Sequence, residues 1–278
     1  YFGRPISISD DYLSCQMIAY RPPKSIKNDV FSSYTRVISI AMMGIRRLQS
    51  ELLNVMYASN GHVPKEFENI DEWKIDFEKR LNKWYSKRVP KNLVKSDNIK
   101  FKKEFFRINL HHTKIMLNGI TPRASDQHSF KELDKLRTST SSMVFQYKRL
   151  WVSKSLNYTW IACHNLFMCA MTYLYSLYKL EDVENLDKTI SNVLTILKSF
   201  IGTCEAAPNC YKSINVLSKA IKKLILKNNK ITKVSPEVSG TAIDRTESEG
   251  NDPDLQVFFD KLLNMETVDT NINEFAVN

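Results

Sequence analysis

The chain has 278 residues, 43% of them apolar and 25% charged, which is ample material for one large helical domain or two small ones with a buried core. Seven glycines and nine prolines are too few for the turns of an all-β chain, and too few for low-complexity disorder across the bulk. The formal charge of +10 divides unevenly: residues 1–229 carry 36 basic and 20 acidic side chains, a net of +16, and residues 230–278 carry 4 and 10, a net of −6.

In chain order, Tyr1-Phe2 before Gly3-Arg4-Pro5 reads as the end of a helix whose start lies upstream, so the chain is expected to be part of a longer one. Residues Ile6 to Pro23 read as extended and irregular. A first full helix is expected from about Asp29 to Ala58, where Val30, Tyr34, Val37, Ala41, Ile45, Leu48, Leu52 and Val55 form one apolar stripe. Ile70, Trp73, Phe77, Leu81 and Trp84 mark a second helix, to about Lys87, and Pro90 closes it. A third is expected from about Ile99 to Asn118, with Phe101, Phe105, Ile108, His112 and Ile115 on its buried face, stopped by Gly119 and Pro122.

Ser129 with Glu132 three residues on is a capping box that starts a fourth helix, whose stripe is Leu133, Leu136, Thr140, Met143, Tyr147 and Trp151. The fifth, about Leu156 to Tyr178, is apolar nearly all round and belongs at the centre of the core. Leu186, Ile190, Val193, Leu197 and Phe200 define a sixth, capped by Gly202, and Ile214, Leu217, Ile221 and Leu224 a seventh, to about Lys227. The reading is thus all-α: a multi-helix, bundle-like regulatory domain over residues 1–229. A disordered linker follows over 230–253, where large apolar residues are almost absent, and an acidic tail with a short amphipathic helix over 254–278.

No catalytic or metal-binding constellation emerges. The glycines are too scattered for a phosphate loop, and HExxH and GxSxG patterns are missing. His111 and His112 are adjacent, so on a helix they point about 100° apart and do not share one metal easily; one is expected in the core and one at the surface. His164 and its neighbour Cys163 fail the same-face requirement of a Cys-His catalytic pair. The acids Asp71, Glu72, Asp76 and Glu78 sit at a helix start, where the helix dipole favours anions. Cys15, Cys163, Cys169, Cys204 and Cys210 lack zinc-finger spacing and read as free thiols of a reducing compartment. The run Trp160 to Tyr178 is too short and polar for a membrane span. The scattered lysines of the basic body read as a solvated surface able to attract nucleic acid or acidic partners at long range. The expectation is a non-enzyme.

Several segments resemble the middle homology region of fungal zinc binuclear cluster transcription factors, the class typified by the yeast galactose regulator. Gly3, Arg4, Pro5, Ile6, Ser7, Ser9 and Asp10 resemble its Gly-Arg-Pro, Ile-Ser and acidic segment. Leu81, Trp84, Pro90 and Leu93 resemble the next element, and Leu110, His111, His112, Leu117 and Pro122 the one after, with Asn118-Gly119-Ile120-Thr121 departing from the usual Arg-Pro ending. The resemblance covers about residues 1–225.

It implies the regulatory, effector-sensing and activating part of a nuclear protein that controls RNA polymerase II genes. No cofactor is expected in this chain: zinc belongs to a six-cysteine cluster in a missing N-terminal part, through which DNA would be bound. A homodimer partner and a small-molecule effector are further expectations, with Trp160, Phe167 and Tyr173 as the candidate effector pocket. Phe258, Phe259, Leu262, Leu263 and Met265 among acids form the candidate activation segment, docking as a helix on a coactivator or regulatory protein. A helix docked on the body of the same chain is the alternative for that segment. For the whole chain, the alternative is a helical scaffold subunit of a chromatin or centromere assembly.

Overall fold

A computed structural model describes residues 30–58, 61–90, 101–119, 128–182 and 186–233. Among them are seven α-helices and no strand: α1 (Val30–Met56), α2 (Ile70–Lys87), α3 (Glu104–Asn118), α4 (Phe130–Val152), α5 (Trp160–Leu180), α6 (Leu186–Phe200) and α7 (Ala207–Lys233). The all-α expectation holds. Of the expected linker over 230–253, residues 234–253 lie outside the described residues, as do the tail over 254–278 and Gly3, Arg4, Pro5, Ser9, Asp10 and Pro122. Helix α7 runs to Lys233, past the expected domain end at residue 229.

Local sequence sets three helix starts, those of α2, α4 and α5. Asn69 accepts from the Glu72 amide at the head of α2, and Thr159 accepts from Ala162 at the head of α5. The capping box of α4 is complete: the Glu132 amide donates to Ser129 Oγ at 3.3 Å, and the Ser129 amide donates to Glu132 Oε2 at 2.9 Å. No membrane-length apolar helix occurs among the described residues.

The apolar stripes pack into two clusters. The smaller joins Ala41, Ile45, Leu52, Val55 and Met56 of α1 to Trp73, Phe77, Leu81 and Trp84 of α2. The larger is built from α4, α5, α6 and α7, with α5 at its heart through Leu166, Ala170, Tyr173, Leu174 and Leu177. Helix α3 belongs to both: Phe106, Leu110 and Leu117 enter the smaller cluster and Ile108 the larger. This departs from the expected single face. Of Phe101, Phe105, Ile108, His112 and Ile115 only Ile108 is fully buried, and the others are half-buried. A helix clamped between two cores needs two apolar faces, and the stripe through Phe106, Leu110 and Leu117 supplies the second.

Polar groups clamp the smaller unit together. Arg80 of α2 donates from both terminal nitrogens to the Glu51 carboxylate of α1, each at 2.6 Å, and the Trp73 indole donates to the same carboxylate at 2.9 Å. The guanidinium pKa is held above its ordinary value by the Glu51 hydrogen bond against the cost of burial, with Asp76 assisting. Trp84 donates its indole N–H to the Ala41 carbonyl at 2.7 Å, and Gln49 of α1 reaches Thr113 of α3 at 3.0 Å.

Candidate functional site

One polar concavity lies where the two clusters meet. A cleft of about 440 Å³ opens between the end of α2 and the adjoining faces of α3 and α4. Tyr85 comes from α2, Arg107, Leu110 and His111 from α3, and Ser141, Ser142, Phe145 and Gln146 from α4. The helix period places these groups together. Arg107, Leu110 and His111 lie three and four residues apart on α3, and Ser142, Phe145 and Gln146 repeat that spacing on α4.

Its polar groups are unevenly satisfied. Arg107 Nε donates to Tyr85 Oη at 3.0 Å, so the guanidinium stands on one wall. Ser141 donates to the Thr138 carbonyl at 3.1 Å. Gln146 is only 5% exposed, and its side-chain Oε1 has no hydrogen-bond partner. Nδ1 of His111 is also buried without one. Buried polar atoms are nearly always paired, and these two have almost no accessible surface, so they lie behind the cleft wall and do not face its space. No carboxylate lines the cleft. Burial pushes the His111 pKa down to about 4, with the charges of Lys114 and Arg107 adding to the effect, so its imidazole is neutral at physiological pH.

The residues singled out in the sequence are distributed differently. Trp160, at the first turn of α5, is 42% exposed and stacks on His164 with ring centroids 4.9 Å apart. Phe167 is half-buried against the larger cluster, and Tyr173 is 1% exposed. Trp160 and Tyr173 stand thirteen residues apart on one helix, about 20 Å along its axis. These three are therefore spread along α5, and none lines the cleft between α2, α3 and α4. Of the motif residues, Trp84 is core, Pro90 and both adjacent histidines are half-buried, and only His111 reaches the cleft. The expected split of His111 and His112 into core and surface does not occur, because α3 has packed neighbours on both sides. Phe258, Phe259, Leu262, Leu263 and Met265 lie outside the described residues.

The remaining candidates have structural roles. Glu72 accepts from the Glu68 amide, Asp76 pairs with Arg80, and Glu78 accepts from Lys135 of α4 at 2.8 Å. The Cys169 thiol donates to the Thr140 carbonyl at 3.3 Å, and burial pushes its pKa up. Sequence reasoning passed over Arg107 and Gln146. The one signal was a polar Gln beside the apolar stripe of the fourth helix, next to Tyr147.

No family model matches the chain, and no solved structure matches it. Curated proteins do. The chain is similar to Pyrimidine pathway regulatory protein 1 of Saccharomyces cerevisiae, 32% identical over 243 residues that cover 81% of this chain and 26% of that protein. It is also similar to Positive regulator of purine utilization of Emericella nidulans, 20% identical over 278 residues, again 81% of this chain and 26% of the relative. The chain spans about a quarter of the length of these curated relatives. Over most of its length, then, this helical chain is similar to one portion of fungal proteins named as regulators of pyrimidine and purine metabolism.

Proposed function

We propose that the chain is the helical regulatory portion of a fungal transcription factor of the zinc binuclear cluster class, acting in the nucleus on RNA polymerase II genes of nucleobase metabolism. The observation that carries this reading is the similarity over 81% of the chain to two proteins named as regulators. The motif resemblance and the all-helical architecture support it. On this reading, DNA recognition and zinc binding belong to sequence outside these 278 residues, and no catalysis is involved. The helical body over 1–229 controls the output. The acidic segment over 254–278 delivers it by laying Phe258, Phe259, Leu262 and Leu263 into the groove of a coactivator or regulatory protein. The scaffold alternative is not favoured, because both relatives are named for regulation.

The test joins residues 230–278, and separately the whole chain, to a foreign DNA-binding domain above a reporter gene. The tail fusion is expected to activate, and replacing Phe258, Phe259, Leu262 and Leu263 by Ala is expected to abolish the signal. A silent pair of parent fusions, or a quadruple variant as active as its parent, would overturn the reading.

A further inference from the structure

Three of the chain's five cysteines meet within the larger cluster. Cys163 is the fourth residue of α5, Cys210 the fourth of α7, and Cys204 lies in the turn between α6 and α7. Each is held on a hydrogen-bonded turn: the Cys163 amide donates to the Thr159 carbonyl at 3.1 Å, the Cys210 amide to Ala206 at 3.0 Å, and the Cys204 amide to Phe200 at 2.9 Å. The Cys163 side chain is within hydrogen-bonding reach of both Cys210 and Cys204, and all three are free thiols. Among the described residues no group of His, Cys, Asp and Glu is arranged to hold a metal ion, so what contact gives these thiols is chemistry with one another. Access is unequal. Cys163 and Cys204 are 1% and 6% exposed, whereas Cys210 is half-buried and meets solvent. Two helices present their first turns here, where unbonded amides and the helix dipole favour a negative charge. The hydrogen bond from Cys163 holds the Cys210 pKa below its ordinary value against the effect of burial. The same contact, followed by burial, pushes that of Cys163 up. The thiolate therefore forms on the sulfur that solvent reaches, and the proton stays on the buried one.

We propose that Cys163 and Cys210 form a dithiol site that hydrogen peroxide, or another small hydroperoxide, converts to a disulfide. The Cys210 thiolate attacks one peroxide oxygen and the O–O bond breaks. The proton that Cys210 gave up returns to the departing oxygen, water leaves, and Cys210 becomes a sulfenic acid. The Cys163 sulfur then attacks the Cys210 sulfur. The S–O bond breaks, the Cys163 proton goes to the departing oxygen, and a second water leaves. The two sulfurs together lose two electrons, which the peroxide takes up. A small thiol reverses the bond by exchange. The bond joins the first turn of α5 to the first turn of α7, so oxidation fixes covalently a seat that contact alone holds in the reduced chain. Disulfides inside cells are mostly of this transient, responsive kind. The inference does not rest on the regulatory reading above.

The 278-residue chain is reduced, treated with stoichiometric hydrogen peroxide, blocked at its remaining thiols with N-ethylmaleimide, and mapped by peptide mass. One linked pair is expected, through Cys163 and Cys210, released by dithiothreitol. Cys210 is expected to react with peroxide at least about tenfold faster than Cys169, whose thiol is buried on the same cluster. In Cys163→Ser, dimedone is expected to trap a sulfenic acid at Cys210, and Cys204→Ser is expected to link as the parent does. A parent chain with no linked pair, a pair that includes Cys204, or a Cys210 no faster than Cys169 would overturn the proposal. Mapping the unaltered chain needs no variant, so a serine variant that does not fold leaves the test decisive.

Discussion

Gly202 closes α6 with φ +92°, a backbone state that side-chain-bearing residues rarely adopt. A Cβ there meets nothing within 4 Å, so any penalty in Gly202→Ala is backbone strain rather than a clash. The variant is expected to lose ~1–2 kcal/mol in urea unfolding. Two other turns manage without glycine: Lys154 at φ 51° and Glu181 at φ 53° follow α4 and α5. Their side chains are unremarkable in the sequence, which is why those ends were harder to place than the Gly202 end. Histidine sets a pH response at the same scale. His111 and His112 both have pKa values lowered to about 4 from an ordinary 6.5, chiefly by burial. A depressed folded-state pKa means that the unfolded chain takes up the protons. Their contribution is therefore complete above about pH 6.5 and is lost as pH falls toward about 4. The urea midpoint is expected to fall between about pH 7 and about pH 5, with a shallower fall in His112→Gln. An equal fall in that variant would assign the response to other groups.

Between α1 and α2 the decisive contact is Trp84. Its indole donates to the Ala41 carbonyl, and its ring lies against Gly44, where an added Cβ would come within 3.1 Å of Trp84 Cδ1. Trp84→Ala is expected to cost ~3–5 kcal/mol through the cavity it leaves. Gly44→Ala is expected to destabilise the same pair of helices by ~1–3 kcal/mol through overpacking. Thermal melts of both variants check this, and a Gly44→Ala chain as stable as the parent would show that the indole can shift. Helices of this kind were legible in advance: Trp73, Phe77, Leu81 and Trp84 repeat at 3-4 spacing and bury together. The start of α4 followed from its capping box. Helix α3 was not legible in the same way. Its second buried face mixes Phe106, Leu110 and Leu117 with the polar Asn109 and Thr113, so no single stripe announces it. Asn109 and Thr113 turn back onto carbonyls four residues earlier, which lets polar side chains sit in a packed face. The cleft was illegible for a related reason. A glutamine next to an apolar stripe looks like surface until the packing of α3 against α4 covers it and leaves its oxygen alone.

Across the whole molecule, the division of apolar surface into two clusters sharing α3 sets the order in which the chain comes apart. Direct side-chain links between α2 and α4 are charged pairs, Lys135 with Glu78 at 2.8 Å and Lys74 with Glu132 at 3.9 Å. Exposed pairs of this sort contribute ~0–1 kcal/mol each and weaken in salt. Native-state amide exchange should accordingly reveal two tiers, with α1 and α2 released in partial openings while α5 and α6 exchange only on global unfolding. Raising the ionic strength should widen the gap between the tiers. Helix α3 then acts as a hinge pin: the half of it that faces α1 and α2 loosens first, while Ile108 keeps the other half seated. Parting the α1–α2 pair from the rest also strips cover from Phe106, Leu110 and Leu117 of α3, so the height of the lower tier is set by that apolar stripe and only trimmed by the charged pairs.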